Sequence, residues 1–196
     1  MKLVLPAVVV INLCLAAAGV AAAAPSKADP RQVARGKYLV TLGGCNDCHT
    51  PLKMTPSGPA PDMDRMLSGH PEQLVMPAQP ALQQPWGYAF ALTMTSASGP
   101  WGTSFARNLT PDEETGLGSW TEKDFMQTIR TGKRMGHGRA LLPPMPWFNY
   151  ALATDEDLKA IFAYLQSIPA VKNQVEEPRP PTAPATASAT PASAAR

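Results

Sequence analysis

The chain contains few residues of the kinds that most metalloproteins and nucleophilic enzymes use. Its 196 residues include three cysteines and three histidines, and charged residues make up 16% of the total. The 17 basic and 15 acidic residues leave a formal net charge of +2, which argues against nucleic-acid binding. No internal repeat and no alternating strand pattern stands out. We therefore expect an all-α protein that does not bind nucleic acid.

One short motif, Cys45-Asn46-Asp47-Cys48-His49, organises this chain. Two cysteines three positions apart face the same side of a helical turn, so both thiols can bond to the vinyl groups of one porphyrin. The histidine that follows can bind the porphyrin iron. The alternatives are a redox-active cysteine pair and half of a zinc site, but no second cysteine pair and no βαβ pattern accompany the motif. Cys45, Cys48 and His49 are therefore predicted to attach one haem c.

The two ends of the chain differ in composition from the middle. Residues 1–24 combine a basic Lys2, an apolar run and a small-residue cleavage site, so we predict a secretory signal peptide and a periplasmic location. A retained membrane anchor is the alternative, because the apolar run is nearly long enough to cross a bilayer. Residues 176–196 are rich in Pro, Ala, Thr and Ser and are predicted to form a disordered tail. Residues 25–175 would then form a single-haem domain.

Helix caps and apolar spacing predict three main helices in this domain. They run from Asp29 to Leu42, from Thr121 to Gly132 and from Thr154 to Pro169. Gly36 lowers the helix propensity of the first helix by up to about 1 kcal/mol relative to alanine. A close crossing of another helix would explain its presence.

The segment after the motif, residues 50–102, is rich in proline, methionine and glycine and has weak periodicity. We predict a long irregular loop insertion with one helical turn near residues 61–68. Four aromatic side chains supply apolar surface that would order this insertion over the haem. They are Trp86, Tyr88, Phe90 and Trp101.

Met145 is the best candidate for the second axial ligand of the iron. Three neighbouring prolines stiffen its loop, so a weak thioether bond to iron would cost little conformational entropy. Met135, Met94 and Met76 are the fallback methionines. His137 is a further alternative and would produce a bis-histidine haem.

Other side chains are candidates to hold the haem in place. Arg107, Trp147 and Tyr150 are predicted to donate hydrogen bonds to the haem propionates, because buried carboxylates need such partners. Simple packing is the alternative for Trp147. His49 should donate its other ring nitrogen to a backbone carbonyl, and a carbonyl within residues 51–61 is the expected acceptor.

With these motifs in hand, the chain resembles class I cytochromes c. The segments Phe105–Asp112, Thr115–Gly118 and Pro144–Trp147 are more closely similar to the cytochrome subunits that accompany bacterial periplasmic dehydrogenases. The resemblance covers roughly residues 30–170. Those subunits often carry several haem domains, whereas this chain has a single Cys-x-x-Cys-His motif.

The resemblance implies the class I cytochrome c fold, in which the first and last helices cross. Gly36 and Tyr38 would then meet Phe162 and Tyr164 at the crossing. The insertion after the haem motif is longer than in the shortest members of that family.

We therefore predict an exported one-electron carrier with a histidine and methionine-ligated haem, and no enzymatic activity. Its partners would be redox proteins: a dehydrogenase or quinol-linked donor, and another cytochrome or a terminal oxidase as acceptor. The first alternative is a permanent cytochrome subunit of a periplasmic dehydrogenase complex. The second is a haem peroxidase or gas sensor with an open sixth iron position.

Overall fold

The computed structural model describes residues 29–79 and 85–181, so the predicted signal peptide lies outside the described residues. The α-helices in this part are α1 (Pro30–Leu42), α2 (Cys45–His49), α3 (Glu122–Thr131), α4 (Trp147–Tyr150) and α5 (Asp155–Ser167). The strands are β1 (Leu52–Thr55), β2 (Gly58–Pro61), β3 (Ala89–Phe90), β4 (Ser96–Gly99) and β5 (Gly102–Phe105). Two 3₁₀ turns, Met63–Arg65 and Arg134–Gly136, complete the list, and the first lies within the helical turn predicted near residues 61–68.

The three long helices begin and end where their local signals predict. Asp29 accepts a hydrogen bond from the Arg31 N–H at 2.9 Å and so caps α1. Thr121 and Asp124 form a reciprocal capping box at the start of α3. At the start of α5, the Thr154 hydroxyl accepts a hydrogen bond from the Asp157 N–H at 3.1 Å. These ends are set by hydrogen bonds between residues two or three positions apart.

The predicted crossing of the first and last helices is confirmed at Gly36. A methyl group on Gly36 would lie 1.9 Å from the Ala160 carbonyl oxygen and 2.8 Å from Cβ of Tyr164, so only glycine allows α1 and α5 to approach this closely. The predicted partner Phe162 is not the nearest residue, and Tyr38 is 55% exposed. Tyr38 lies about 200° around the helix from Gly36 and therefore faces away from the crossing.

The helices pack around one apolar cluster. Its buried members on the helices include Val40, Phe125, Ile129, Leu158, Ile161, Phe162 and Leu165. Leu67 of the insertion is also fully buried in this cluster, so the insertion packs against the helical core.

The prediction of an all-α fold with an irregular insertion is wrong. The described residues are 34% helical and 14% strand. The whole segment between α2 and α3, called the insertion from here on, extends beyond the predicted end at residue 102 and carries two antiparallel sheets, one of β1 and β2 and one ordered β3-β4-β5. All four residues of β4 and of β5 are buried. Because both faces of these strands are covered, their small polar residues show no alternation of apolar and polar side chains.

The segment after α5, residues 169–181, is here named the C-terminal strap. The buried Asn173 donates to the carbonyl oxygens of Ser68 and His70, both at 2.8 Å. Further along, Thr103 and Arg179 exchange two backbone hydrogen bonds of 3.0 and 2.9 Å. The strap is therefore hydrogen-bonded to the rest of the fold as far as Arg179, three residues beyond the predicted start of the disordered tail at residue 176.

Candidate haem-binding site

Helix α2 presents the Cys-x-x-Cys-His motif to a large apolar cavity. Cys45, Cys48 and His49 line this cavity together with Met145. Its apolar walls include Phe90, Phe105, Leu109, Leu117, Leu141 and Leu142. The empty space, counted together with its open mouth, is about 1580 Å³. The predicted attachment residues and the predicted second ligand thus share one cavity.

The two thiols lack the lowered pKa of a reactive redox pair. Neither Cys45 nor Cys48 forms a disulfide in the structure. Burial raises the pKa of Cys45 to about 11 and also raises the pKa of Cys48. Reactive cysteine pairs instead depend on a lowered thiol pKa. The thioredoxin-like alternative is therefore disfavoured by the electrostatics of the site.

One nitrogen of the His49 ring is hydrogen-bonded to the backbone, which leaves the other to bind a metal. Its Nδ1 lies 2.7 Å from the carbonyl oxygen of Arg107. A carbonyl oxygen can only accept, so Nδ1 carries the proton and Nε2 keeps the lone pair that a metal needs. Burial lowers the pKa of His49, which also favours the neutral ring. The expected acceptor within residues 51–61 is therefore replaced by Arg107.

The insertion brings this carbonyl to the histidine. Gly69 donates its backbone N–H to the His49 carbonyl at 2.8 Å, and His70 donates to the Ala106 carbonyl at 2.9 Å. Gly69 has φ +82°, and a methyl group there would lie 2.4 Å from the Ala106 oxygen. A glycine at this point lets residues 67–70 lie between His49 and the chain that carries Arg107.

The segment Phe105–Asp112, which contributes to the family resemblance, forms part of the cavity wall. Residues 104–109 all line the cavity. The buried Asn108 donates to the Thr115 hydroxyl at 3.0 Å and to the Val171 carbonyl at 2.8 Å. The side-chain oxygen Oδ1 of Asn108 accepts a hydrogen bond from the Thr110 N–H at 3.0 Å. Asn108 therefore fixes this wall to the C-terminal strap.

The loop that carries Met145 is tied down from two sides. The Leu141 N–H donates to the Gly132 carbonyl at 2.7 Å, next to the end of α3. The Ser104 hydroxyl of β5 donates to the Pro143 carbonyl at 2.6 Å. Sequence reasoning missed Ser104, because a serine in a short strand has no local signal for a partner 39 positions away.

A second methionine also lines the cavity. Met94, one of the fallback ligands, lies in the wall at a left-handed φ of +61°. Met145 differs in that it packs against the apolar core cluster. Met76, Met135 and His137 are not among the residues of the cavity wall.

The three predicted propionate donors are placed differently. Arg107 lines the cavity, and its guanidinium donates to the carbonyl oxygens of Val175 and Glu176. Tyr150 also lines the cavity, but its hydroxyl already donates to the Gly43 carbonyl. Trp147 is not among the residues of the cavity wall. Its indole packs against Gly132, so closely that a methyl group on Gly132 would lie 2.4 Å from the ring, and this agrees with the alternative of simple packing.

The chain is similar in sequence to cytochrome c subunits of bacterial dehydrogenases. The chain is 32% identical over 155 residues to the gluconate 2-dehydrogenase cytochrome c subunit of Pantoea cypripedii, an alignment that covers 79% of this chain and 27% of that protein. It is 30% identical over 150 residues to the alcohol dehydrogenase (quinone) cytochrome c subunit of Gluconobacter oxydans, covering 76% and 24%. The chain is a cytochrome c.

This cytochrome spans about a quarter of the length of those two relatives. It is also 26% identical over 185 residues to a diheme cytochrome c-type protein of Cereibacter sphaeroides, covering 91% of this chain and 52% of that protein. No protein-family model matches the chain.

The residues present fit haem c, the cofactor of cytochromes c. Two protonated thiols lie one helical turn apart, and an imidazole with a free Nε2 follows them directly. A thioether from Met145 and apolar walls complete the cavity. This is the donor set that haem ligation in an electron-transfer cytochrome requires.

Proposed function

We propose that the chain is a cytochrome subunit of a periplasmic dehydrogenase complex and holds one haem c. Its relatives of about 30% identity are named as cytochrome subunits of dehydrogenases, which supports the subunit over the freely diffusing carrier. The single Cys-x-x-Cys-His motif supports one haem. The dehydrogenase would donate one electron at a time, and another cytochrome or an oxidase would accept it.

The observation that carries the proposal is that Cys45, Cys48, His49 and Met145 line one apolar cavity. When bound, the haem supplies an iron that cycles between the ferric and ferrous states. The two cysteines would hold it through thioether bonds, while His49 Nε2 and the Met145 sulfur would bind the iron. The apolar walls exclude water from the iron, which limits reorganisation between its two states.

The same ligand pair argues against catalysis. If His49 and Met145 both bind the iron, oxygen and peroxide would have to displace a protein ligand to reach it. The protein would then act by passing electrons rather than by converting a substrate. The peroxidase and gas-sensor alternatives require one of these positions to be free.

The predicted signal peptide supports a periplasmic location. Within residues 29–79 and 85–181, none of the helices has the length and apolar character needed to cross a bilayer. The alternative is that residues 1–24 are retained as a membrane anchor. Cleavage after these residues would exclude that anchor. Sequencing the N-terminus of the purified protein measures this directly.

The ligand assignment is tested by Met145→Ala, with Met94→Ala as the matched control from the same cavity. The full-length holoprotein should show the long-wavelength charge-transfer band of methionine-bound ferric haem. We expect Met145→Ala to abolish this band and to allow rapid binding of carbon monoxide in the reduced state, while Met94→Ala leaves both unchanged. The reverse result would make Met94 the ligand. Ready carbon monoxide binding by the unmodified protein would instead support an open site.

The subunit assignment needs a different measurement. We expect the haem absorbance of the native protein from its source to elute with dehydrogenase activity in gel filtration after mild solubilisation. Elution as a small haem protein without that activity would favour the freely diffusing carrier. Both outcomes leave the haem site itself intact.

A further inference from the structure

The charged side chains of the cavity wall in the described part of the chain are Arg107, Arg134 and Arg139. Two of them share one carboxylate from the C-terminal strap. Glu177 Oε1 lies 3.2 Å from Nη1 of Arg107, and its Oε2 lies 3.1 Å from Nε of Arg139. Arg134 is placed differently, with its guanidinium over the ring of Trp120. Each oxygen of Glu177 thus pairs with a different cavity arginine.

The backbone on both sides of Glu177 is fastened. Before it, Asn173 is buried and holds the strap to the insertion. After it, Arg179 pairs with the backbone of Thr103 and donates to the Met76 carbonyl at 2.8 Å. Between these anchors, Pro178 reaches the cavity wall. The position of Glu177 is therefore set by the fold rather than by a free tail.

The charges of this group match those of a haem. Three guanidinium groups and one carboxylate leave a net charge of +2 at the wall, and a haem brings two propionates. The Arg107 side chain is partly buried, at 28% exposed, and a cation withdrawn from solvent needs a counter-charge. Glu177 supplies part of that charge and orients both arginines towards the cavity.

We propose that Glu177 is a positioning residue that holds Arg107 and Arg139 for the haem propionates and lowers the reduction potential of the haem. This rests on the proposed function, because it requires a haem in the cavity. Ferric iron carries one more positive charge than ferrous iron. A nearby carboxylate therefore stabilises the ferric state, and the arginines that it neutralises stabilise the ferrous state less.

The strap offers a matched control for this proposal. Glu176 precedes Glu177 directly and carries the same charge, but it pairs with Arg179, at 2.5 Å to Nε and 2.8 Å to Nη2. Arg179 is not part of the cavity wall. Glu176→Gln and Glu177→Gln therefore remove the same charge from neighbouring positions, and only the second removes a contact to the cavity arginines.

The experiment is a spectroelectrochemical titration of the full-length holoprotein and its variants. At a fixed applied potential, we expect Glu177→Gln to lower the ferric-to-ferrous ratio about threefold. This corresponds to a reduction potential that is higher by about 28 mV, at about 59 mV per tenfold change for one electron. Glu176→Gln should shift it by less than half as much. Glu177→Asp should restore most of the original potential, because it keeps the charge.

Equal shifts in the two glutamine variants, or no shift in Glu177→Gln, would overturn the inference. Thermal melting of each variant checks that the fold is retained. If Glu177→Gln does not fold, Arg139→Gln tests the same contact from the other side and should lower the potential. A protein without a haem spectrum would contradict the proposed function instead, so the two failures can be told apart.

Discussion

The helical scaffold and the insertion between α2 and α3 are held together in different ways. The scaffold of α1, α3 and α5 is organised by capping hydrogen bonds and by an apolar cluster. The insertion instead buries small polar residues that bond to distant parts of the chain, including Thr50, Thr95, Thr103 and Ser104. The scaffold places the attachment motif, whereas the insertion places the residues that hold its ligands.

This difference shows why the two regions were not equally predictable. Caps and apolar spacing act over three or four residues and can be seen in the sequence. The contacts of the insertion join residues far apart, such as Ser104 with Pro143 and His49 with Arg107, which are 39 and 58 positions apart. The comparison can be tested with substitutions in each region.

The largest effect is expected for Gly36→Ala in the scaffold. The new methyl group would meet the Ala160 carbonyl oxygen at 1.9 Å, and neither backbone can move away without separating α1 from α5. We expect the free energy of unfolding to fall by about 3 kcal/mol despite the better helix propensity of alanine. Chemical denaturation of the holoprotein measures this. Gly87→Ala in the insertion is the control, because nothing lies within 4 Å of its Cβ position.

The next largest effect is expected for Ser104→Ala, which removes the hydrogen bond from the insertion to the Met145 loop. The Pro143 carbonyl would lose its donor, which costs about 1–3 kcal/mol for a buried group. We expect lower stability and partial loss of the methionine-bound ferric spectrum at neutral pH. Ser119→Ala, at an exposed position, should change neither property. A Ser104→Ala protein with an unchanged spectrum would show that the insertion does not hold the ligand loop.

A pH dependence is expected from His70, which is 1% exposed. Burial lowers the pKa of His70, while the hydrogen bond to the Leu74 carbonyl and the nearby Glu176 raise it. The unfolded chain then binds more protons than the folded one between the folded pKa and the unfolded value of about 6.5. Stability should therefore fall as the pH drops below that value, by at most about 1.4 kcal/mol per pH unit.

The variant His70→Gln tests this slope, because glutamine can still donate to the Leu74 carbonyl but does not titrate. We expect its unfolding free energy to depend less on pH between about pH 7 and pH 5 than that of the unmodified protein. His137→Asn, at an exposed position, is the control and should keep the original slope. An unchanged slope in His70→Gln would contradict the prediction.

The smallest effect is expected for the surface ion pair of Lys172 and Glu114. Their charged atoms lie 2.6 Å apart, but the two side chains are 68% and 71% exposed. Solvent and salt screen such a pair, so Lys172→Ala should leave the denaturation midpoint almost unchanged. Denaturation at low and high salt measures this midpoint, and a clear fall in it would show that the strap depends on this contact.

Several candidate site residues could be predicted from the sequence, and the contacts that could not be predicted share one cause. The attachment motif and the proline-flanked Met145 stood out because their chemistry depends on adjacent residues. Tyr150, a predicted propionate donor, lines the cavity, and its hydroxyl donates to the Gly43 carbonyl, 107 positions away. Trp147 has the right chemistry for a propionate donor, yet packing places it against Gly132. Residue type therefore predicted candidates, and packing decided among them.

By itself, the sequence determined that Cys45, Cys48 and His49 lie on one helical turn and that helices begin at Pro30, Glu122 and Asp155. These features depend on bonds within a single turn of chain, which neighbouring residues control. Only the tertiary structure decided that the Arg107 carbonyl accepts a hydrogen bond from His49 and that Ser104 of β5 bonds to the Met145 loop. It also decided that the C-terminal strap pairs with β5 beside the cavity. Those contacts form between distant residues, and they exist only once the whole chain has packed.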